Sequence, residues 1–335
     1  MVLFAHIGIN YFLKPFHILI YGDIGVHIFF VLSGFLITTL LLKENFKTGS
    51  VSLKRFYIRR ALRILPVAYL FLIVLIALNF YCHLGVSFLD FVASFLFFKN
   101  LPLKNEPFTA HFWSLAVEEQ FYFIFPFLIV SNLNRYIIIT LLFLIVVPVI
   151  SILGFYHATI LFNNPVSTII TKIIMYSFWK GPLVILIGSF FAILLFKGMI
   201  DIKRIKDGYF GGFLLLSGAV IISTPVCILY NAYLSAYLAA ILIGWAIVLS
   251  LKETSLLAII LNNTILKKIG IISYSVYIWQ ELFIGLRPWQ IWMRAFQNYP
   301  IWLLIMVKLL LVFTIACISY YSFELKFLKI KNRYK

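Results

Sequence analysis

The residues best suited to do chemistry lie in the segment 111–122, which reads HFWSLAVEEQFY and continues into a run apolar enough to enter a membrane. In a helix, His111, Ser114 and Glu118 are separated by three and four residues and therefore share one face. Glu119 is turned about 100° away from that face. Ionisable groups at the mouth of a lipid-soluble helix are costly and usually face a polar cavity. The segment therefore predicts an imidazole, a hydroxyl and a carboxylate along one stripe of a membrane helix.

Two interpretations of the acidic pair stay open. Glu118, or less favourably Glu119, could orient an imidazole and stabilise its protonated form, as the acid of a catalytic triad does. The alternative is a helix N-terminus whose dipole favours negative charge, which accounts for one glutamate better than for two. Ser114 lacks the small-residue turn that exposes a nucleophilic serine, so we interpret it as a cap or, like His111 and Trp113, as a substrate contact.

A second candidate site is a group of arginines at residues 55–63. Arg55, Arg59 and Arg63 recur every four residues and form one ridge of a helix, which Arg60 widens. Guanidinium groups bind phosphate bidentately and stay charged, so the ridge could hold a phosphorylated cofactor or a lipid headgroup. The alternative is an ordinary cytoplasmic anchor of a membrane helix, and charge alone does not separate the two.

Two smaller features could also belong to a site. His6 lies in an apolar N-terminal segment with Asn10 one turn further on. A histidine with a pKa near neutrality can take a proton from a hydroxyl and return it, although a packed core histidine fits the same pattern. Ser33 and Gly34 would let either another helix or a slim ligand approach the backbone closely.

The composition indicates an integral membrane protein. The 335 residues are 63% hydrophobic and only 12% charged, and the mean hydropathy is +1.05. Several apolar runs reach the length of about 20 residues that a helix needs to cross a bilayer. We therefore predict an all-α polytopic bundle of about ten transmembrane helices, forming a single domain over 1–335, with a short interfacial or re-entrant helix at 86–98. The expected spans are 1–13, 24–43, 63–82, 112–131, 136–154, 182–199, 209–229, 231–251, 269–287 and 300–322.

The distribution of basic residues predicts the orientation in the membrane. The formal net charge is +17, and most lysines and arginines fall in alternate loops and in the basic tail 326–335, which places both termini in the cytoplasm. We therefore expect contacts with membrane lipid and no nucleic-acid partner. Neither the three cysteines nor the histidines have the spacing of a disulfide framework or a metal site.

Taken in order along the chain, these segments resemble the acyltransferase 3 family of integral membrane acyltransferases. The resemblance is carried by 25–37 (GVHIFFVLSGFLI), 59–66 (RRALRILP), 111–122 and 269–279 (IGIISYSVYIW). It covers nearly the whole chain. Two departures from the family pattern are His27, where an acidic residue is common, and Gln280, where a histidine is common.

The family pattern also bears on the first helix. It has an arginine about ten residues before the histidine that acts as base, and Val2–His6 resembles the histidine end of that motif. The resemblance therefore implies an arginine upstream of Met1 and a first helix that is truncated in this sequence. We also expect a bilayer-crossing helix to be longer than the apolar run before Lys14.

The resemblance implies a membrane O-acyltransferase that moves an acyl group, commonly acetyl, from acyl-CoA to a hydroxyl of a cell-surface or lipid-linked carbohydrate. Acyl-CoA would act as a co-substrate and no cofactor would be bound permanently. The enzyme would lie in a bacterial-type cytoplasmic membrane, and the oligomeric state stays open. The implied catalytic residues are His6, Glu118 and Glu119; the implied cofactor-binding residues are Arg59, Arg60, Arg63, Ser33 and Gly34; the implied substrate-binding residues are His111, Trp113, Ser114 and Asn10.

Two other functions fit the same composition. A transporter or flippase for a lipid-linked glycan also needs many helices and buried ionisable groups, but we find no matching halves in the sequence. An inactive paralogue is the second alternative, because the implied arginine is missing.

Overall fold

A computed structural model describes residues 2–7, 22–101, 107–177, 181–205, 209–284 and 299–334. Within those ranges every regular element is helical, as predicted. Short 3₁₀ turns lie at Pro107–Thr109, Thr159–Leu161 and Asn332–Tyr334, and a π-helical segment lies at Ser319–Glu324. The α-helices are α1 Val2–Ile7, α2 Asp23–Thr48, α3 Leu53–Cys82, α4 Phe88–Phe95, α5 Phe112–Ser131, α6 Leu133–Phe155, α7 Pro165–Ser177, α8 Pro182–Phe196, α9 Gly211–Ile222, α10 Pro225–Ser250, α11 Leu256–Leu261, α12 Thr264–Trp279, α13 Glu281–Ile284, α14 Ile301–Ile318 and α15 Leu325–Lys331.

Six of the described helices are long and apolar enough to cross a membrane. They are α2, α3, α5, α6, the part of α10 from Asn231 to Ser250, and the run Ile301–Tyr334. Three further helices are apolar but shorter: Pro165–Met175, Pro182–Phe196 and Gly211–Ile222. The membrane character is as expected, whereas the number of about ten spans is not confirmed.

Local sequence signals explain where the helices begin and bend. Ser52, Ser87 and Asn132 cap α3, α4 and α6 by accepting a hydrogen bond from a backbone N–H of the first turn, as such residues commonly do. Because Ser52 starts α3 before the arginines, Arg55–Arg63 belong to the same helix as the apolar span that was expected to begin at 63. Residue Asn231 has extended backbone angles and kinks α10, where two separate spans were predicted.

Two boundaries differ from the sequence prediction in other ways. The stretch 165–177 is helical, although no helix was predicted between the spans 136–154 and 182–199, because its 13 residues are fewer than the roughly 20 that a membrane-crossing helix needs. The predicted short helix at 86–98 is present as Phe88–Phe95.

The chain divides into two compact units. One contains the described parts of 13–51 and 120–263, and its centre is the crossing of α2 and α8. A Cβ built on Gly34 would lie 2.0 Å from the Ile185 carbonyl oxygen, and one on Gly188 would lie 1.9 Å from the Val31 carbonyl oxygen. The two glycines therefore let the helix backbones approach each other directly.

The same unit holds a small group of buried hydroxyls. The Ser189 hydroxyl on α8 lies 2.6 Å from the Thr38 hydroxyl on α2 and 2.5 Å from the phenol of Tyr136 on α6. All three residues are fully buried. Because hydrogen bonds in an apolar interior are strengthened by the lack of competing water, this group fixes the register of three helices.

The second unit contains the described parts of 3–12, 52–119 and 264–335. Its short helix α4 is held by an ion pair between Asp90 and Lys99, both buried. The Asp90 carboxylate also accepts a hydrogen bond of 2.6 Å from Ser87. A paired and hydrogen-bonded charge can stay buried where a lone charge could not.

The last helices of the second unit pack on α3. The π-helical segment ends at Glu324, whose carboxylate accepts hydrogen bonds from Ser275 at 2.6 Å and Ser319 at 2.9 Å. Beyond it α15 and the turn Asn332–Tyr334 lie along α3. The basic tail is therefore helical and packed up to Tyr334.

Candidate active site

The start of α5 is fixed by three oxygen atoms that contact one another. The Ser114 hydroxyl lies 3.0 Å from the His111 carbonyl and 2.5 Å from the phenol of Tyr277 on α12. The Tyr277 phenol also lies 3.2 Å from the His111 carbonyl. This arrangement holds the backbone at His111, which immediately precedes the first helical residue. The Ser114 hydroxyl donates to the His111 carbonyl, whereas the side chain of an N-cap accepts from a backbone N–H, so this bond differs from the cap that the sequence suggested.

The imidazole of His111 lies in an aromatic enclosure. The centre of its ring lies 5.2 Å from the centre of the Phe71 ring, 4.8 Å from that of Phe112 and 5.8 Å from that of Tyr277. The residue is 5% exposed, and neither ring nitrogen has a hydrogen bond to the described residues. Burial, with a smaller effect of the charge of His6, lowers the pKa of His111 to about 3. The imidazole is therefore neutral at physiological pH.

Glu281 is the acidic group that faces this imidazole. Its Oε2 lies 4.0 Å from Nδ1 of His111. Burial raises the pKa of Glu281, which lies outside the spanning helices, to about 7. The adjacent Gln280 is 1% exposed, and its Nε2 has no partner among the described residues. Sequence reasoning missed Glu281 as a site residue, because its approach to His111 depends on where α12 ends relative to α5.

The N-terminal histidine belongs to the same unit. His6 lies in α1 with an exposed side chain, and it is close enough to His111 for their charges to interact. The structure thus brings together two histidines that are far apart in the sequence. The predicted role of His6 as base stays a prediction. Asn10, which was expected beside it, lies outside the described residues.

One of the two glutamates of α5 lies close to the arginine helix. Glu118 is 3% exposed, and His111 and Ser114 are buried as well, so all three members of the predicted stripe are buried. Glu119 interacts electrostatically with Glu118 and with Arg60 on α3. One of its carboxylate oxygens, Oε1, is buried without a hydrogen-bond partner among the described residues. Trp113 is half-buried.

The arginines of α3 differ in their contacts and in their exposure. The Arg59 guanidinium donates a hydrogen bond of 2.8 Å to the Tyr334 carbonyl, which the sequence did not predict. The Arg60 guanidinium carbon lies 5.6 Å from the centre of the Phe56 ring. Arg63, one turn beyond Arg59, is exposed. The predicted ridge is therefore present on α3, with its first half in contact with the C-terminal segment.

Ser33 and Gly34 lie in the first unit, where α8 occupies the space against Gly34. Of the two possibilities that the sequence left open at this pair, the close approach is that of a helix. The predicted contact with a cofactor stays untested. Among the described residues no group of three or more histidine, cysteine, aspartate or glutamate side chains could hold a metal ion.

The helices and the buried polar residues define a polytopic helical membrane protein with an enclosed histidine–carboxylate site. The chain belongs to the acyltransferase 3 family, since the model of the family's acyltransferase domain matches residues 1–321. The family assignment drawn from the sequence segments is thereby confirmed. No solved structure matches the chain.

Curated relatives are named as O-acetyltransferases. A protein of Staphylococcus aureus (strain COL), provisionally named an O-acetyltransferase, is 30% identical over 295 residues, covering 77% of this chain and 45% of that protein. The peptidoglycan O-acetyltransferase OatA of Listeria monocytogenes is 39% identical over 125 residues, covering 31% of this chain and 19% of OatA. O-acetyltransferase OatA of S. aureus (strain NCTC 8325) is 37% identical over 153 residues, which cover 40% of this chain and 24% of that protein. The chain thus spans less than half the length of these relatives.

Proposed function

We propose that this protein transfers an acetyl group from acetyl-CoA to a hydroxyl of a cell-surface or lipid-linked carbohydrate. The observation that carries the proposal is the approach of His6 to the buried, neutral His111 in one compact unit. Acyl transfer to a hydroxyl needs a base beside a group that can hold the acceptor. The names of the relatives, including a peptidoglycan O-acetyltransferase, favour acetyl as the acyl group and a glycan as the acceptor.

The chemistry uses His6 as the general base. His6 takes the proton of the acceptor hydroxyl while the hydroxyl oxygen attacks the thioester carbonyl. The carbon–sulfur bond then breaks, the proton passes to the departing thiolate, and the products are the acetyl ester and CoA. His111, Trp113 and Ser114 contact the acceptor. A carboxylate of α5 stabilises the positive charge that develops on His6, and we prefer Glu118 to Glu119 for this role.

The donor binds at the cytoplasmic end of α3. Arg63 is exposed and Arg59 and Arg60 are partly exposed, so their guanidinium groups can hold the phosphates of acyl-CoA. Positive charge at this end of the helix also fits the cytoplasmic side of a membrane. We therefore place the protein in the cytoplasmic membrane of a bacterium-like cell, with both described ends of the chain on the cytoplasmic side.

The decisive test compares surface glycans from cells with the gene, without it, and complemented with a His6→Ala variant. Release of ester-linked acetate by mild alkali, followed by mass spectrometry of the glycan, measures the modification. We expect the acetyl ester to disappear in the deletion and in the variant while the polymer stays at its normal amount. Loss of the whole polymer would instead show a transporter or flippase, and unchanged glycans would show an inactive paralogue.

A further inference from the structure

Glu281 lies close to His111 although the two residues are far apart in the sequence. It is the first residue of α13, which packs against α12, α14 and the turn Pro107–Thr109. That turn lies just before His111 in the sequence. Its packing against α13 therefore keeps Glu281 close to His111. The carboxylate itself is mostly buried, with 13% of its side chain exposed.

The aromatic enclosure leaves His111 few orientations. Rings of Phe71, Phe112 and Tyr277 surround the imidazole, and in the resulting orientation Nδ1 faces Glu281 at 4.0 Å. This distance exceeds a hydrogen bond. Hydrogen bonds of catalytic groups are often long in structures without substrate and shorten in the complex, so a small approach of the two groups completes the contact.

The direction of the carboxylate selects one form of the imidazole. A carboxylate accepts hydrogen bonds, so Nδ1 carries the proton and Nε2 keeps its lone pair. The pKa of His111, lowered by burial, agrees with a neutral ring that can accept at Nε2. In the described part of the chain Nε2 is buried without a partner, and buried polar atoms of this kind normally have one. Nε2 can therefore accept a hydrogen bond from a donor on a bound molecule.

We propose that Glu281 is a positioning residue: it fixes the Nδ1–H form of His111 so that Nε2 accepts a hydrogen bond from a second donor group of the acceptor sugar, beside the hydroxyl that is acetylated. This inference rests on the proposed function. It adds a substrate requirement, because the acceptor must carry a second donor group besides the hydroxyl that is acetylated, as sugars do. His6 takes the proton of one group, and His111 holds the other without taking its proton.

The test measures acetyl transfer by the full chain in nanodiscs, using acetyl-CoA and an N-acetylglucosamine tetrasaccharide or its monodeoxy analogues. One analogue should raise the KM of the wild type for the acceptor about tenfold, the loss of one hydrogen bond. Glu281→Met, which keeps the volume but removes the acceptor atom, should raise that KM by a similar factor for the parent sugar. The variant should then no longer distinguish the parent from that analogue, and its kcat and its KM for acetyl-CoA should stay near normal.

Two variants separate positioning from a general loss of structure. Glu281→Gln keeps a carbonyl oxygen that can accept from Nδ1–H, so it should restore part of the acceptor affinity. Glu253→Gln makes the same change at an exposed loop residue and should leave both KM values unchanged. A fall in kcat alone in Glu281→Met, or continued discrimination between the sugars, would overturn the proposal.

Nitrogen-15 NMR of the six histidines reads the ring directly, with His111 assigned by its loss in His111→Asn. An Nδ1–H signal that changes to the other tautomer in Glu281→Met supports the pairing, and an unchanged signal overturns it. This result does not depend on transfer. Failure of the wild type to acetylate any saccharide, with the tautomer change present, would refute the proposed function while leaving the pairing of Glu281 and His111 intact.

Discussion

The phenolic oxygen of Tyr277 lies 2.5 Å from the hydroxyl of Ser114, which ties the C-terminal part of α12 to the first turn of α5. The contact joins two segments that are 163 residues apart in the sequence. Both segments carry the resemblance to the acyltransferase 3 family. Their contact explains why a site assembled around His111 needs the end of the chain as well as its middle.

The Ser114 hydroxyl donates to the His111 carbonyl and contacts the Tyr277 phenol, so we expect it to have a structural role and not to be the nucleophile. We predict that the Ser114→Ala variant keeps most of its activity, with a loss of about 1 kcal/mol of stability from the missing hydrogen bond to the His111 carbonyl. Transfer kinetics and thermal unfolding in detergent measure the two effects. A loss of about 10⁴-fold, as when a triad nucleophile is removed, together with an acetylated serine in the wild type, would show that the transfer passes through Ser114.

The proposed base can be tested by its effect on turnover. We expect His6→Ala to lower kcat about 10²–10⁴-fold, the usual contribution of a general base, while the protein still inserts and binds acetyl-CoA. The matched control is His157→Asn, an exposed histidine whose φ of 51° asparagine tolerates. Near-normal turnover of His6→Ala would remove His6 from the mechanism.

The arginine ridge can be separated from a simple anchor by changing the shape of the cation and keeping its charge. Lysine satisfies the topology rule but lacks the planar fork that binds phosphate bidentately. We therefore predict that Arg59→Lys with Arg63→Lys raises the KM for acetyl-CoA about tenfold or more, equivalent to one charge-assisted hydrogen bond, without changing orientation. Arg135→Lys, at an exposed arginine of α6, is the control. A normal KM for acetyl-CoA in the lysine variant would contradict phosphate binding. If, in addition, replacing Arg59 and Arg63 by alanine inverted the orientation in the membrane, the arginines would be a cytoplasmic anchor.

Burial raises the pKa of Glu281 to about 7, which predicts a pH effect on acceptor binding. Above this value Glu281 is a carboxylate and holds Nδ1–H of His111; below it the carboxyl is protonated and the contact weakens. The KM for the acceptor should therefore rise as the pH falls through 7, and Glu281→Gln should flatten this dependence. Other titratable groups on the elements around this pair are His6 on α1, Tyr277 on α12 and Lys308, whose helix α14 packs against α13. A profile that stays unchanged in Glu281→Gln would assign the titration to one of them.

The crossing of α2 and α8 predicts a strong response to one methyl group. Gly188→Ala places a Cβ against the backbone of Val31, so the helices must separate, at a cost of about 1–3 kcal/mol or more. Gly270→Ala on α12 meets nothing within 4 Å and should be neutral or stabilise, because alanine favours a helix more than glycine does. Thermal unfolding of the two variants in the same detergent measures the difference. Equal stability would show that the helices can part without loss.

The sequence by itself determined the class of this protein. Long apolar runs require membrane helices because a bilayer leaves no water for unpaired backbone groups, and the spacing of the arginines follows from the helical repeat. The common stripe of His111, Ser114 and Glu118 was also predicted, since three residues on one helix face depend only on local geometry, whereas their burial is a finding of the structure. The family resemblance rested on such local segments, and the match to residues 1–321 confirms it.

The tertiary structure decided which of these residues meet. Glu281 faces His111, Arg59 contacts the carbonyl of Tyr334, and Gly34 receives the backbone of α8. Each contact joins helices distant in sequence, and no periodicity within one helix fixes how it is rotated against another. The reason is physical: helix packing is determined by side-chain shape and close backbone approach at the crossing, which exist only once the helices have come together.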